Sequence, residues 1–186
     1  MSRPACADVG VAENRPLAVG SLTLRPLFTP GHTDHHYSYL IDNDGMLAVF
    51  TGDALLIDGC GRTDFQSGDA AALYHSATGK IFSLPAETLV YPAHDYNEPR
   101  VSSVGQERER NPRLGKGKTL EQFVYIMDEL DLPYPKKIDL AVPANKRCGE
   151  LPADVRRIKH SSHKFRLSVL VLIINQYCVF TFEHEG

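Results

Sequence analysis

The stretch YSYLIDNDGMLAVF (37–50) constrains the fold more than any other part of the chain. Two apolar runs, YSYLI (37–41) and MLAVF (46–50), flank an Asn/Asp/Gly-rich turn, the pattern of a β-hairpin. The second run is almost wholly apolar, which predicts burial on both faces and hence a sheet covered by helices. LTLRPLF (22–28) alternates weakly as a further strand, and ETLVYPAH (87–94) reads as a short buried strand ending in a Pro-broken loop. Asp69 caps a predicted helix through about Ser83, with Leu73, Ala77, Ile81 and Leu84 on one face. Ser103 with Gln106 and Thr119 with Gln122 fit the capping-box pattern. The second pair opens an amphipathic helix with Phe123, Ile126, Met127 and Leu130 inward. DLPYPKK (131–137) ends it, because prolines cannot continue a helix. The order βββαβαα predicts α/β layering, helices on sheet. Residues 1–20 lack periodicity and read as an irregular lead-in. The Gly-rich segment 51–68 reads as a long loop, a kind that usually carries function in a compact domain.

Composition excludes several classes. The 186 residues fit one domain with a sizeable core. A net charge of −3 provides no basic field for nucleic acid or an anionic membrane. The most apolar run, 167–182, contains Asn175 and Gln176 and falls short of the ~20 residues a membrane helix needs. No cationic, apolar, small-residue signal peptide opens the sequence. Cys6, Cys60, Cys148 and Cys178 are far apart with no CxxC pair, so neither a disulfide framework nor a cysteine-rich zinc site is expected, and a reducing cytosol is the default. Cys60 and Cys148 read as small buried packing residues.

The chemistry concentrates at strand ends. His32 follows LFTPG, Asp53 follows LAVFTG, and His94 follows LVYPA. Side chains there are held by the sheet while the surrounding loops leave room for a ligand. Two imidazoles and a carboxylate are the donor set of a non-haem iron triad, or part of a zinc site.

TPGHT (29–33), FTGDALL (50–56) and YPAHDY (91–96) resemble the three C-terminal metal-site motifs of the metallo-β-lactamase superfamily. More narrowly, GCGRTDFQSG (59–68), LYHS (73–76), ERNPRL (109–114) and VPANKRCG (142–149) resemble the persulfide dioxygenases, and the likeness runs in order over about 21–149. Glyoxalase II shares the general metal motifs but would not predict CGRTDF or PANKRCG. The resemblance implies an α/β protein, an αββα sandwich holding one iron(II) per chain, with zinc as the alternative metal. It implies oxidation of glutathione persulfide by O2 to sulfite and glutathione. His32 and Asp53 carry over as metal ligands. His94 matches a superfamily ligand and is expected to act beside the iron, with direct ligation as the alternative. Asp95 and Thr51 are expected to position the site through hydrogen bonds. Glutathione carries two carboxylates, which guanidinium forks and a phenol would receive. Arg62, Tyr96, Arg113 and Arg147 lie in motif loops that would supply them, a structural ion pair being the alternative for each arginine.

The superfamily's first metal motif, His-x-His-x-Asp-His, belongs upstream of TPGHT, yet 31 residues precede His32 and none is histidine. The expectation is therefore the C-terminal part of the sandwich: a lead-in at 1–20, the metallo-β-lactamase-like domain at 21–150, and a tail at 151–186 that matches nothing in the family. LSVLVLI (167–173) is β-prone and would cover a sheet face left open. In HTDHH (32–36), strand alternation sends His35 and His36 in different directions, so His32 is taken as the one ligand and the others as bystanders. Two further readings stay open: a glyoxalase II-like metallo-hydrolase, and a non-catalytic homologue that binds glutathione or a partner subunit. The expected location is cytoplasmic, or mitochondrial if the chain is eukaryotic and its true N-terminus lies upstream; a homodimer is left open.

Overall fold

A computed structural model describes residues 7, 9–65, 67–94 and 101–149, with the backbone of 172–173 and 179–180. The chain divides into two compact units, Val11–Asp131 and a second formed by Met1–Gly10 with Leu132–Gly186. The first holds a six-stranded sheet of β1 (Leu17–Val19), β2 (Leu22–Phe28), β3 (Tyr37–Asn43), β4 (Met46–Gly52), β5 (Leu89–Pro92) and β6 (Ser102–Ser103), ordered in space as in sequence. Every neighbouring pair is antiparallel except β4 with β5. A parallel neighbour requires a crossover. Helix α1 (Ala70–Ser76), continuing as a π-helical turn over Ala77–Ile81, lies in that crossover. Helices α2 (Val104–Arg110) and α3 (Leu120–Asp128) complete the unit.

The hairpin forms as its turn requires. Asp44 and Gly45 both take positive φ, and Asp42 accepts the Gly45 amide at 3.2 Å. Leu40, Val49 and Val90 align across β3, β4 and β5 and pack with Leu73, Ala77, Ile81, Phe123 and Met127 into one core. The opposite face of β4 differs from expectation. Ala48 and Phe50 are half-buried there, and Phe50 stacks on the exposed Tyr91 at 5.4 Å. The apolar run thus turns one face, that of Val49, into the core rather than two.

The helix signals are realised locally. Asp69 caps α1 by accepting the Ala72 amide, and the Thr119–Gln122 box closes in both directions at α3. Ser103 accepts the Gln106 amide at the start of α2. Several elements escaped the sequence reading, the two-residue β6 among them. β1 lies inside the stretch taken as an irregular lead-in, too short to show alternation. In the second unit, α4 (Ile138–Lys146) carries Pro143 in its interior, a residue that normally argues against a helix. That unit also contains the antiparallel pair β7 (Leu172–Ile173) and β8 (Val179–Phe180). Most of the apolar run 167–182 lies outside the described residues, and among those described no helix is long and apolar enough to cross a membrane. Cys60 is buried as expected, whereas Cys148 is exposed and disulfide-bonded. Sequence separation had argued against pairing, but separation along the chain does not limit distance in space.

Segment 53–68 is irregular, yet it is pinned by α2 and the residues after it. Glu107, 0% exposed, accepts from the Asp58 amide, the Ser102 hydroxyl and the Asn111 amide group. Asn111 also donates to the Gly59 carbonyl at 2.9 Å and accepts from the Arg113 and Leu114 amides. Asn111→Ala is expected to strand these buried groups and to cost about 3 kcal/mol of stability. Urea denaturation reads it directly: an unchanged midpoint would remove Asn111 as the anchor of the loop.

Candidate functional site

Two turns supply the site, and each follows a strand. The first, 29–36, joins β2 to β3 and is closed by the Thr29 amide on the His36 carbonyl at 2.9 Å. The second leaves β4 at Gly52. There the β4–β5 register shifts between Phe50 and Gly52, and Gly52 takes φ +54°, a left-handed conformation that glycine adopts without strain. The bulge turns the chain out of the sheet and aims the Asp53 amide at the first turn.

His36 receives it. Its ring is 0% exposed, and Nε2 accepts the Asp53 amide at 3.1 Å. Nδ1 therefore carries the proton and donates to the Thr29 hydroxyl at 2.9 Å. Thr29 in turn donates to Ser38, whose hydroxyl donates to the Thr51 carbonyl. Burial, with a smaller contribution from neighbouring His32, lowers the His36 pKa to about 3, so the imidazole stays neutral as this arrangement requires. His35, its chain neighbour, is exposed beside Asp34 at 3.5 Å. The two diverge as alternation predicts.

His32 faces the opposite way. Its Nδ1 donates to the Arg62 carbonyl at 2.7 Å, which leaves the Nε2 lone pair to the site. That nitrogen lies 3.8 Å from Asp53 Oδ2, and His94 Nε2 lies 3.5 Å from Asp53 Oδ1. One carboxylate is thus bracketed by two imidazoles that come from different strand ends. Ligand atoms ~2.1 Å from a shared ion lie at most ~4.2 Å apart. His32 Nε2 and Asp53 Oδ2 are therefore close enough to reach one shared cation. Among the described residues, no three His, Cys, Asp or Glu side chains are grouped to enclose an ion, so these residues fit part of a coordination sphere only.

Gly61 is a site residue that the sequence reading did not single out. Its amide donates to the Asp53 carbonyl at 2.8 Å. A Cβ there would stand 2.6 Å from the Asp53 carbonyl oxygen, 2.8 Å from Asp53 Cβ and 2.8 Å from His32 Nδ1. The glycine permits both candidate ligands to approach one stretch of backbone. Its only sequence signal was membership of GCGRTDF.

The other expected residues divide. The Thr51 hydroxyl is buried and donates to the Leu55 carbonyl at 2.6 Å, supporting the turn that carries Asp53. Arg62 pairs through Nε and Nη2 with Asp64 at 2.6 and 2.7 Å, and its guanidinium lies over the Phe65 ring. Arg113 donates to the Cys60 carbonyl at 2.7 Å and so braces the same loop. Burial raises the Cys60 thiol to about 11, against the influence of Arg113. Arg147 is exposed at the end of α4, in the second unit. Asp95 and Tyr96 lie outside the described residues.

This sheet, crossover and strand-end site define a metallo-β-lactamase-type fold, and residues 15–94 match the Metallo-beta-lactamase superfamily. The nearer likeness is to persulfide dioxygenases. The mitochondrial persulfide dioxygenases ETHE1 of Mus musculus and Homo sapiens are each 50% identical over 143 residues, which cover 77% of this chain and 55% of theirs. The crystal structure of ETHE1 from Myxococcus xanthus superposes with a TM-score of 0.73 at 52% identity, over 78% of this chain and 63% of that one. The chain thus spans about half the length of the curated relatives it matches.

Gly61→Ala is expected to force the Asp53 carbonyl and the His32 ring apart, costing about 2 kcal/mol. It should also shift the His32 imidazole signals in nuclear magnetic resonance spectra. Wild-type stability together with unmoved His32 signals would show that the loop absorbs the methyl group.

Proposed function

We propose that this chain carries part of the site of an iron-dependent persulfide dioxygenase, which oxidises glutathione persulfide with O2 to sulfite and glutathione. One observation carries the reading. His32 Nε2 and Asp53 Oδ2 stand 3.8 Å apart within a segment 50% identical to proteins named persulfide dioxygenase. Iron(II), when bound, supplies the unpaired electrons that let dioxygen react with a closed-shell sulfur compound. His32 and Asp53 are the residues that would hold it. The Arg62 carbonyl keeps His32 in the tautomer that offers Nε2. His94, at 3.5 Å from Asp53 Oδ1, restrains the carboxylate from its other side. Asp95 adds to that positioning in this reading.

The substrate's carboxylates ask for positive charge at the rim. Arg62 sits one residue from Gly61 and so at the edge of the site, its fork engaged by Asp64. A glutathione carboxylate would compete with Asp64 for that fork, an exchange of like for like. Tyr96 and Arg147 are assigned to the substrate by their motifs. Arg113 contributes by holding the Cys60 carbonyl rather than by reaching outward.

Anaerobic iron(II) titration of the full chain, followed by oxygen uptake on glutathione persulfide, tests the proposal. His32→Ala and Asp53→Ala are each expected to abolish iron binding; unchanged stoichiometry in both would dispose of the site. Iron binding without oxygen uptake would leave the non-catalytic reading, and hydrolysis of lactoylglutathione would favour the hydrolase. Arg62→Ala is expected to raise KM about tenfold with iron content intact, since it removes binding shared by ground and transition states. A wild-type KM would take Arg62 out of the substrate site.

A further inference from the structure

We infer that His36 is a positioning residue: its neutral imidazole fixes the backbone of Asp53, and through it the place of the carboxylate beside His32. The inference rests on the reading of Asp53 and His32 as metal ligands. Three observations carry it. The Asp53 amide is a donor in a buried turn, and its partner is His36 Nε2 at 3.1 Å. A buried amide without an acceptor is costly, so this contact holds the N–H end of the peptide unit that begins Asp53, while the Ala93 amide holds its Gly52 carbonyl at 3.1 Å. The ring itself cannot turn, because Nδ1–H is held by Thr29, Thr29 by Ser38, and Ser38 by the Thr51 carbonyl two residues before Asp53. The chain of hydrogen bonds therefore starts and ends on the same turn, and it ties the His32-bearing segment to it at two points. Finally, the ring centroids of His36 and His32 lie 6.5 Å apart, edge to face, so His36 also packs near the partner that Asp53 must meet.

Position and chemistry can be separated with two substitutions. Glutamine places its terminal amide oxygen near the position of imidazole Nε2 and can accept the Asp53 amide. Asparagine reaches only as far as Nδ1 and leaves that amide without an acceptor. A cobalt(II) titration of the full chain, read by visible absorption, is expected to give His36→Gln an affinity within about threefold of wild type. His36→Asn and His36→Ala should bind about 10–100-fold more weakly, the usual cost of losing a partner that orients a metal ligand. A purely structural histidine would lower the stability of the Gln and Asn variants alike and leave the affinity of folded protein unchanged, and that result would overturn the inference. Amide hydrogen exchange reads the same contact without metal. The Asp53 amide should exchange at least about tenfold faster in His36→Asn than in His36→Gln. Equal exchange in the two would also overturn it. Asp53→Ala separates the two levels: if cobalt binding survives that change, the metal reading fails, while the exchange comparison still decides the role of His36.

Discussion

Irregular backbone cannot be buried unless something pairs with it, and that constraint organises the site-bearing unit. Among its described residues, segment 53–68 has one isolated bridge, Leu56 with Gly59, although residues 53–57 and 59–61 are buried. Several of its polar groups are satisfied from elsewhere. Glu107 takes the Asp58 amide, Asn111 serves the Leu56 and Gly59 carbonyls, and Arg113 serves that of Cys60. Two further pairings belong to the site: Gly61 donates to Asp53, and Arg62 accepts from His32. Loop and site are therefore one hydrogen-bonded object. The residues after β6 matter to the candidate chemistry although they do not touch it.

Much of this fold was legible because its signals are local. The turn at 42–45, the cap at Asp69 and the box at Thr119 each act within four residues, and each forms as read. The strand at β5 was read from a short apolar run lying beyond a helix, and its parallel pairing with β4 came only from the structure. What failed to show was either too brief or self-contradictory. β1 has three residues and gains its strand character only by pairing with β2. The α4 segment holds a proline in a position that propensity argues against.

The site was legible in its ends and not in its supports. A polar residue just past a strand is visible in sequence, and His32, Asp53 and His94 converge as that pattern suggested. Glycine gives no such signal. Nothing in the composition of 59–61 says that Gly61 must be bare because two side chains press on it; only the packing does. Arginine is ambiguous in another way. Three motif arginines were expected to receive the carboxylates of glutathione, with a structural pairing as the alternative; Arg113 is bound to backbone and Arg62 to a carboxylate two residues away. A long cationic side chain reads the same in sequence whether it serves a loop or a ligand.

The stretch HTDHH shows why residue type alone does not assign a role. His36 immediately precedes β3 and shares the parity of Ser38 and Leu40, so the pleat turns it toward the helices, where water is absent. A buried imidazole must use both nitrogens, and the bulge at Gly52 presents the one donor it needs. His35 has the opposite parity and meets solvent. His32 lies within the turn 29–36, where the pleat no longer governs direction, and its ring is set instead by the Arg62 carbonyl across the site. Three histidines within five residues thus receive a buried, an exposed and a convergent position from backbone geometry. The convergent one depends on the buried one, because the carboxylate that His32 faces hangs from a peptide unit whose amide His36 holds.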